Sequence, residues 1–233
     1  MSLDLGSGVK MEFVLIPAGK FLMGSPQTEK DRLRNETQHE VTISKPFYMG
    51  KYEVMQEQYE AVTGTNPSHF KGVKNPVETV SWDNAQAFCK KLSAKTGKTV
   101  QLTTEAQWEY ACRAGTTTRF CSGDADGDLD GVGWYESNSG NTTHPVGGKK
   151  PNAWGLYDMH GNVLEYCADW AGAYEAGAAT DPKGPATGTY FVLRGGCLYF
   201  NPWECRSAIR YDDAPSFRSS SIVGFRLVLA GPP

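Results

Sequence analysis

Asn152-Ala153-Trp154-Gly155-Leu156-Tyr157-Asp158-Met159-His160-Gly161-Asn162-Val163 lies within residues 114–190, a stretch that reads largely as loop. A structureless run of that length inside a compact domain ordinarily counts against the assignment of elements. Its composition argues the other way. Phe120, Trp134, Tyr135, Trp154, Tyr157, Tyr166, Trp170 and Tyr174 all fall within it, whereas disordered linkers are poor in aromatic residues. The expectation is an ordered, irregular region packed on a small sheet.

Regular elements flank this region. Residues 9–24, VKMEFVLIPAGKFLMG, read as two short strands around the turn Pro17-Ala18-Gly19. Val41-Thr42-Ile43 and Phe47-Tyr48-Met49 read as further strands, and Gln56 to Val62 as a helix. A loop rich in Asn, Pro and Gly runs from Gly64 to Pro76. Ser81 is placed to cap a helix from Trp82 to about Thr96, with Ala85, Phe88, Cys89 and Leu92 along one face. Thr104 followed three residues later by Gln107 forms a capping box for a helix from Glu105 to Arg113, with Trp108 and Cys112 turned inward. Strands return at Tyr190 to Arg194 and at Gly224 to Leu229. Residues 1–8 carry neither a basic start nor an apolar signal core and read as leader residues. Residues 9–233 are then a single domain.

The bulk composition excludes several classes. A net charge of −3 with scattered Lys and Arg recommends no nucleic-acid partner. No stretch approaches the ~18 apolar residues of a membrane span. The six cysteines, Cys89, Cys112, Cys121, Cys167, Cys197 and Cys205, form no CxxC pair. They read mostly as buried free thiols, with a single disulfide left open.

Several ordered motifs carry a resemblance. They are Met11 to Gly19, Gly50-Lys51-Tyr52-Glu53-Val54, Leu102 to Ala111 and the central stretch quoted above. Arg194-Gly195-Gly196, Cys205-Arg206-Ser207-Ala208 and Gly224-Phe225-Arg226-Leu227 complete the set. Over residues 9 to 230 the chain resembles the formylglycine-generating-enzyme family. The resemblance implies an α+β, C-type-lectin-like fold, with a small twisted antiparallel sheet, two helices and much irregular loop. It also implies an oxidase that uses copper and oxygen through two cysteines five residues apart. Here Cys205 fits the second position and the first falls at Phe200. A soft Cu(I) ion needs both thiolates, so the expectation is a protein that is not an enzyme, with the oxidase as the alternative. Cys197, eight residues before Cys205, would pair with it only in a rebuilt loop. His39, His69, His144 and His160 are scattered and match no three-histidine iron site.

No cofactor is required, but calcium is a candidate. Asp158, Gly161, Val163 and Glu165 match positions that coordinate calcium in the resembled family. Two carboxylates and two main-chain carbonyls suit a cation that takes ~6–8 oxygen ligands. Equally, Asp158 can cap a turn while Glu165 meets an arginine. The acidic run Asp124 to Gly131 has Leu129 where an EF-hand loop needs Gly and Tyr135 where it needs Glu, so it reads as a solvated loop.

Residues 197–223 depart from the family pattern. Idiosyncratic residues alternate with framework residues such as Arg206, Ser207, Ala208, Arg210, Pro215, Arg218 and Gly224. This alternation resembles the variable proteins of diversity-generating retroelements, in which template adenines are copied at random. Asn codons changed only at adenine reach Leu198, Tyr199, Phe200, Ile209, Tyr211, Asp212, Asp213, Ala214, Phe217, Ser219, Ser220 and Ser221. Cys197 is reachable from a Ser codon and Trp203 from an AGG-like codon, while Glu204 fits less easily. These fourteen positions, Glu204 excluded, are the candidate ligand-binding surface. Exposed aromatics on a rigid base suit recognition, although rings such as Trp203, and Ile209 with them, also suit a core. The resemblance implies an unknown ligand, a protein or other surface molecule, bound by a monomer. It places the protein at a bacterial surface through a lipid anchor outside this chain, with a cytoplasmic location as the alternative.

Overall fold

The computed structural model describes residues 1–175, 177–214 and 220–231. The chain opens with β1 (Ser2–Gly6), β2 (Val9–Ile16), β3 (Gly19–Met23), β4 (His39–Ile43) and β5 (Phe47–Gly50). Next come α1 (Gln56–Thr63), α2 (Trp82–Thr96), β6 (Val100–Leu102) and α3 (Glu105–Arg113). The long loop region carries β7 (Gly133–Trp134), β8 (His160–Gly161), β9 (Leu164–Trp170) and β10 (Ala179–Thr180). The C-terminal part adds β11 (Phe191–Arg194), β12 (Tyr211–Asp213), β13 (Val223–Phe225) and β14 (Leu227–Ala230). The result is an α+β fold with few helices, small sheets and much ordered loop.

Among the described residues four sheets form: β1-β2-β5-β14-β6, β10-β4-β3, β12-β11-β9-β13 and the pair β7-β8. The strands on either side of Pro17-Ala18-Gly19 part company, since β2 pairs with β1 and β5 while β3 pairs with β4. The residues read as a leader instead form β1, antiparallel to β2, with Leu3 and Leu5 buried in the same cluster as Phe13 and Phe88. That expectation is corrected by a period-two pattern of only two leucines.

The helix starts follow their caps. Asn84 N donates to Ser81 Oγ at 3.2 Å, and Ser81 N donates back to Asn84 Oδ1 at 3.1 Å. Thr104 and Gln107 exchange the equivalent bonds at 3.2 and 3.0 Å. These bonds satisfy donors that a helix N-terminus otherwise leaves unpaired. Helices α1 and α2 meet the sheets through aromatic rings, with Tyr59 stacked on Phe88 at 5.4 Å and Phe88 edge-on to Phe225 at 5.4 Å.

Strand β9 is the main element hidden in the apparent loop. It lies between β11 and β13 and is buried along most of its length, Glu165 and Asp169 included. Both of its faces are covered, so no apolar–polar alternation marks it.

Candidate functional site

The candidate site is the chain between β11 and β12, and buried arginines fix its backbone. Arg194, the last residue of β11, sits on the Glu109 carboxylate through Nη2 and reaches Glu105 at 3.4 Å. It also donates to the carbonyls of Ser207 at 2.8 Å and Ala208 at 3.1 Å, so it positions the returning chain. Arg206 grips Glu36 and Glu29, each at 2.6 Å, and donates to Asp31 O and Trp203 O at 2.9 Å. Arg210 binds both oxygens of Glu105, at 2.5 and 2.8 Å, and lies 3.9 Å from the Tyr174 ring centroid. Between Arg194 and this network, Gly196 has φ +75°, and a Cβ there would fall 2.5 Å from Cys205 Sγ and 2.7 Å from Glu204 O. No side chain fits there.

Charge matching within the network shows in the carboxyls. Burial pushes the Glu36 carboxyl upward, but hydrogen bonds from Arg206 and Ser25 and the Arg206 charge bring it below its ordinary value. At Glu29 burial outweighs the same arginine and the carboxyl is raised.

On this frame the candidate surface residues divide. Tyr199 is 42% exposed and Trp203 36%. Asp212 is exposed, and Phe200, Tyr211, Asp213, Ala214, Ser220 and Ser221 are half-buried. The rings of Phe200 and Tyr211 lie 5.2 Å apart. Cys197, Leu198 and Ile209 are fully buried and cannot face a ligand, which corrects their assignment to the surface. The cause is local: the tight turn at Gly195-Gly196 points the next two side chains inward, and Ile209 lies between two anchored arginines. Phe217 and Ser219 lie outside the described residues.

The structure adds residues that the sequence did not suggest. A cleft of about 560 Å3 runs beside Tyr211 and Asp212, and its other walls include Arg34, Asn35 and Tyr190. Tyr190 is 48% exposed and adjoins a recognised strand, so its position was open to inspection. Arg34 and Asn35 come from a distant loop held by Arg206 and Arg210, and nothing in their local sequence marks them.

The two cysteines of this segment, Cys197 and Cys205, are both fully buried. Phe200 packs half-buried against a cluster that contains Cys205. Burial pushes the Cys197 thiol up to about 12 and raises Cys205 well above its ordinary value, whereas thiolates are the metal ligands and nucleophiles. Cys89, Cys112 and Cys167 are buried free thiols too. The histidines are dispersed. His160 is held between Cys205 O at 2.8 Å and Cys121 N at 3.1 Å, and His144 stacks on Trp134 at 3.7 Å. Among the described residues no three His, Cys, Asp or Glu side chains are grouped to hold a metal.

Of the calcium candidates, Asp158 and Glu165 come together around Arg226. Glu165 accepts from Arg226 Nη2 at 2.7 Å, from Arg226 Nε at 2.9 Å and from Trp108 Nε1 at 2.8 Å. Asp158 accepts from Gly147 N at 2.7 Å through one oxygen, and its other oxygen is buried without a partner among the described residues. Glu53 accepts from Asn162 Nδ2 at 2.7 Å, and burial, then the Asp158 and Glu165 charges, push its carboxyl well above the ordinary value. The free Asp158 oxygen suits a cation, but the Glu165 carboxylate is already filled by donors, one of them a guanidinium. A calcium ion there would displace Arg226, so these residues do not fit calcium as a shared ligand set. In the acidic run, Asp126 pairs with Arg119 at 2.8 Å, Asp128 accepts from Ala125 N at 2.9 Å, and Asp130 accepts from Tyr135 at 2.5 Å.

Comparison with known proteins gives a consistent picture. The family model described as sulfatase-modifying factor enzyme 1-like domain matches residues 7–230. Among solved structures, Treponema denticola variable protein 1 superposes with a TM-score of 0.92 at 33% identity, covering 99% of each chain. PvdO from Pseudomonas aeruginosa superposes with a TM-score of 0.86 at 31% identity, covering 99% of this chain and 98% of that one. The formylglycine-generating enzyme of Streptomyces coelicolor is 36% identical over 71% of this chain, which spans 54% of that enzyme's length.

Proposed function

We propose, from the premise that the chain belongs to the sulfatase-modifying factor enzyme 1-like family, that it is a ligand-binding display protein and not an oxidase. The observation that carries this reading is the division between β11 and β12. Arg194, Arg206 and Arg210 are buried and ion-paired, while Tyr199, Trp203 and Asp212 on the same segment are exposed. Side chains that hold the backbone are thus separate from side chains free to choose a ligand. Exposed aromatics with few rotatable bonds give contact area at low entropic cost. The match in fold and length to a variable protein supports the reading.

In this proposal the exposed positions are diversified by a retroelement, and the protein works at a bacterial surface through an anchor outside this chain. Deep sequencing of the gene in an expanding clonal population tests it. The expected result is substitutions at adenine-derived positions in the codons for Tyr199, Phe200, Tyr211, Asp212 and Asp213, with the codons for Arg194 and Arg206 constant. Substitutions spread evenly along the gene, or none at all, would contradict it.

A further inference from the structure

We propose that the cleft beside Tyr211 and Asp212 takes a peptide segment of a protein ligand, and that Arg34 is its fixed anchor, binding a carboxylate of that peptide. The inference rests on the display reading and names the ligand chemistry of the same site.

The cleft has one wall from the sheet and one from a loop. Val192 of β11 pairs with Asp212 of β12, and directly opposed residues share a face. Both line the cleft, with the exposed Tyr190 just before β11. The facing wall is the loop of Arg34, Asn35 and Thr37. Buried arginines hold that loop on both sides of Arg34. Arg206 donates to Asp31 O at 2.9 Å and pairs with Glu36 at 2.6 Å, and Arg210 donates to Asn35 O at 3.2 Å. The backbone that presents Arg34 is therefore fixed before a ligand arrives, which lowers the entropic cost of binding.

The Arg34 side chain is left over from this network. Every other arginine among the described residues donates to a carbonyl or a carboxylate. Arg34 is exposed and makes no hydrogen bond or ion pair among them. No Asp or Glu side chain lies outside the described residues, so none is held in reserve for it. A free guanidinium at the edge of a cleft of about 560 Å3, a volume typical of ligand sites, calls for an acceptor from the ligand. Its planar fork matches a carboxylate with two parallel hydrogen bonds.

Asp212 decides what carries that carboxylate. It stands on the sheet wall, exposed and without an ion pair among the described residues, so a ligand with negative charge alone meets repulsion there. A peptide offers its carboxylate to Arg34 and its backbone N–H donors to Asp212. Tyr190 and Tyr211 supply ring surface beside it at low entropic cost. Arg34 belongs to the frame, whereas Tyr211 and Asp212 belong to the segment that varies. Variants would then differ in their second contact and share the need for a carboxylate.

The test is a display library varied among uncharged residues at Tyr199, Trp203, Tyr211 and Asp212, with Arg34 retained. It is selected in parallel on immobilised tri-glutamate and tri-glutamine peptides. The expected result is about tenfold more clones from the tri-glutamate arm, the scale of one charge-assisted hydrogen-bonded pair. In those clones Arg34→Gln should weaken binding by a similar factor and Arg34→Lys by less, each with an unchanged melting temperature. Equal recovery from both arms, or tri-glutamate binding unchanged in Arg34→Gln, would overturn the anchor and leave display standing. Displacement by free glutarate as readily as by free tri-glutamate would overturn a peptide as the occupant. Failure to recover any clone from either arm would overturn display as well.

Discussion

At the scale of single residues, charge is legible in the sequence only where a motif fixes its partner. The framework arginines Arg194, Arg206 and Arg226 sit in recognisable motifs, yet their partners Glu109, Glu36 and Glu165 are 85, 170 and 61 residues away. No local spacing announces such pairs. Asp169 shows the converse. Burial, and next the Glu105 charge, push its carboxyl up from 3.8 to about 7. A folded-state value above the unfolded one means that the folded protein holds the proton more tightly. Asp169 therefore favours the fold most below about pH 4, and that advantage is lost as pH rises through 7. Asp169→Asn keeps an oxygen to accept from Glu105 N, which donates at 2.9 Å. The variant is expected to be more stable than the parent at pH 8, by on the order of 1–3 kcal/mol. The difference should vanish near pH 4 in urea titrations at the two pH values.

Among the elements, the helices were legible because caps and apolar periodicity act locally: Ser81 and Thr104 mark the starts of α2 and α3. Strand β9 was not, since its covered faces erase the period-two signal. The turn after β11 was legible only in part. Its glycines were evident, but the inward course of Cys197 and Leu198 depends on how closely Gly196 approaches Cys205. Two predictions belong at this scale. Arg206→Ala leaves Glu36 and Glu29 buried without their partner, so it is expected to cost about 3–5 kcal/mol, read as a lowered urea midpoint. Leu198→Ala and Ile209→Ala are each expected to cost about 2–5 kcal/mol. By contrast Tyr199→Ser combined with Asp212→Asn should stay within about 0.5 kcal/mol of the parent.

For the whole molecule, the motifs along the chain conveyed the fold, while the positions that depart from them mix the buried Cys197, Leu198 and Ile209 with the exposed Tyr199, Trp203 and Asp212. Cleft walls drawn from distant loops, such as Arg34, were beyond reach because long-range packing alone brings them to Tyr211. No helix among the described residues is long and apolar enough to cross a membrane. Oxidase chemistry is expected to be absent. With copper, oxygen and a Cys-x-Pro-x-Arg peptide, the protein should form no more aldehyde than its Cys205→Ala variant, because Phe200 stands at the first of the two cysteine positions and the thiols of Cys197 and Cys205 are fully buried. The proposed function makes the frame and the recognising surface separate sets of residues. A saturation library at Tyr199, Trp203, Asp212, Leu198, Ile209, Arg194 and Arg206, sorted for protease-resistant folded protein, measures that separation directly. Most substitutions are expected to survive at Tyr199, Trp203 and Asp212, and few at the other four. Equal intolerance at all seven positions would mean that the exposed rings carry the fold, and would contradict it.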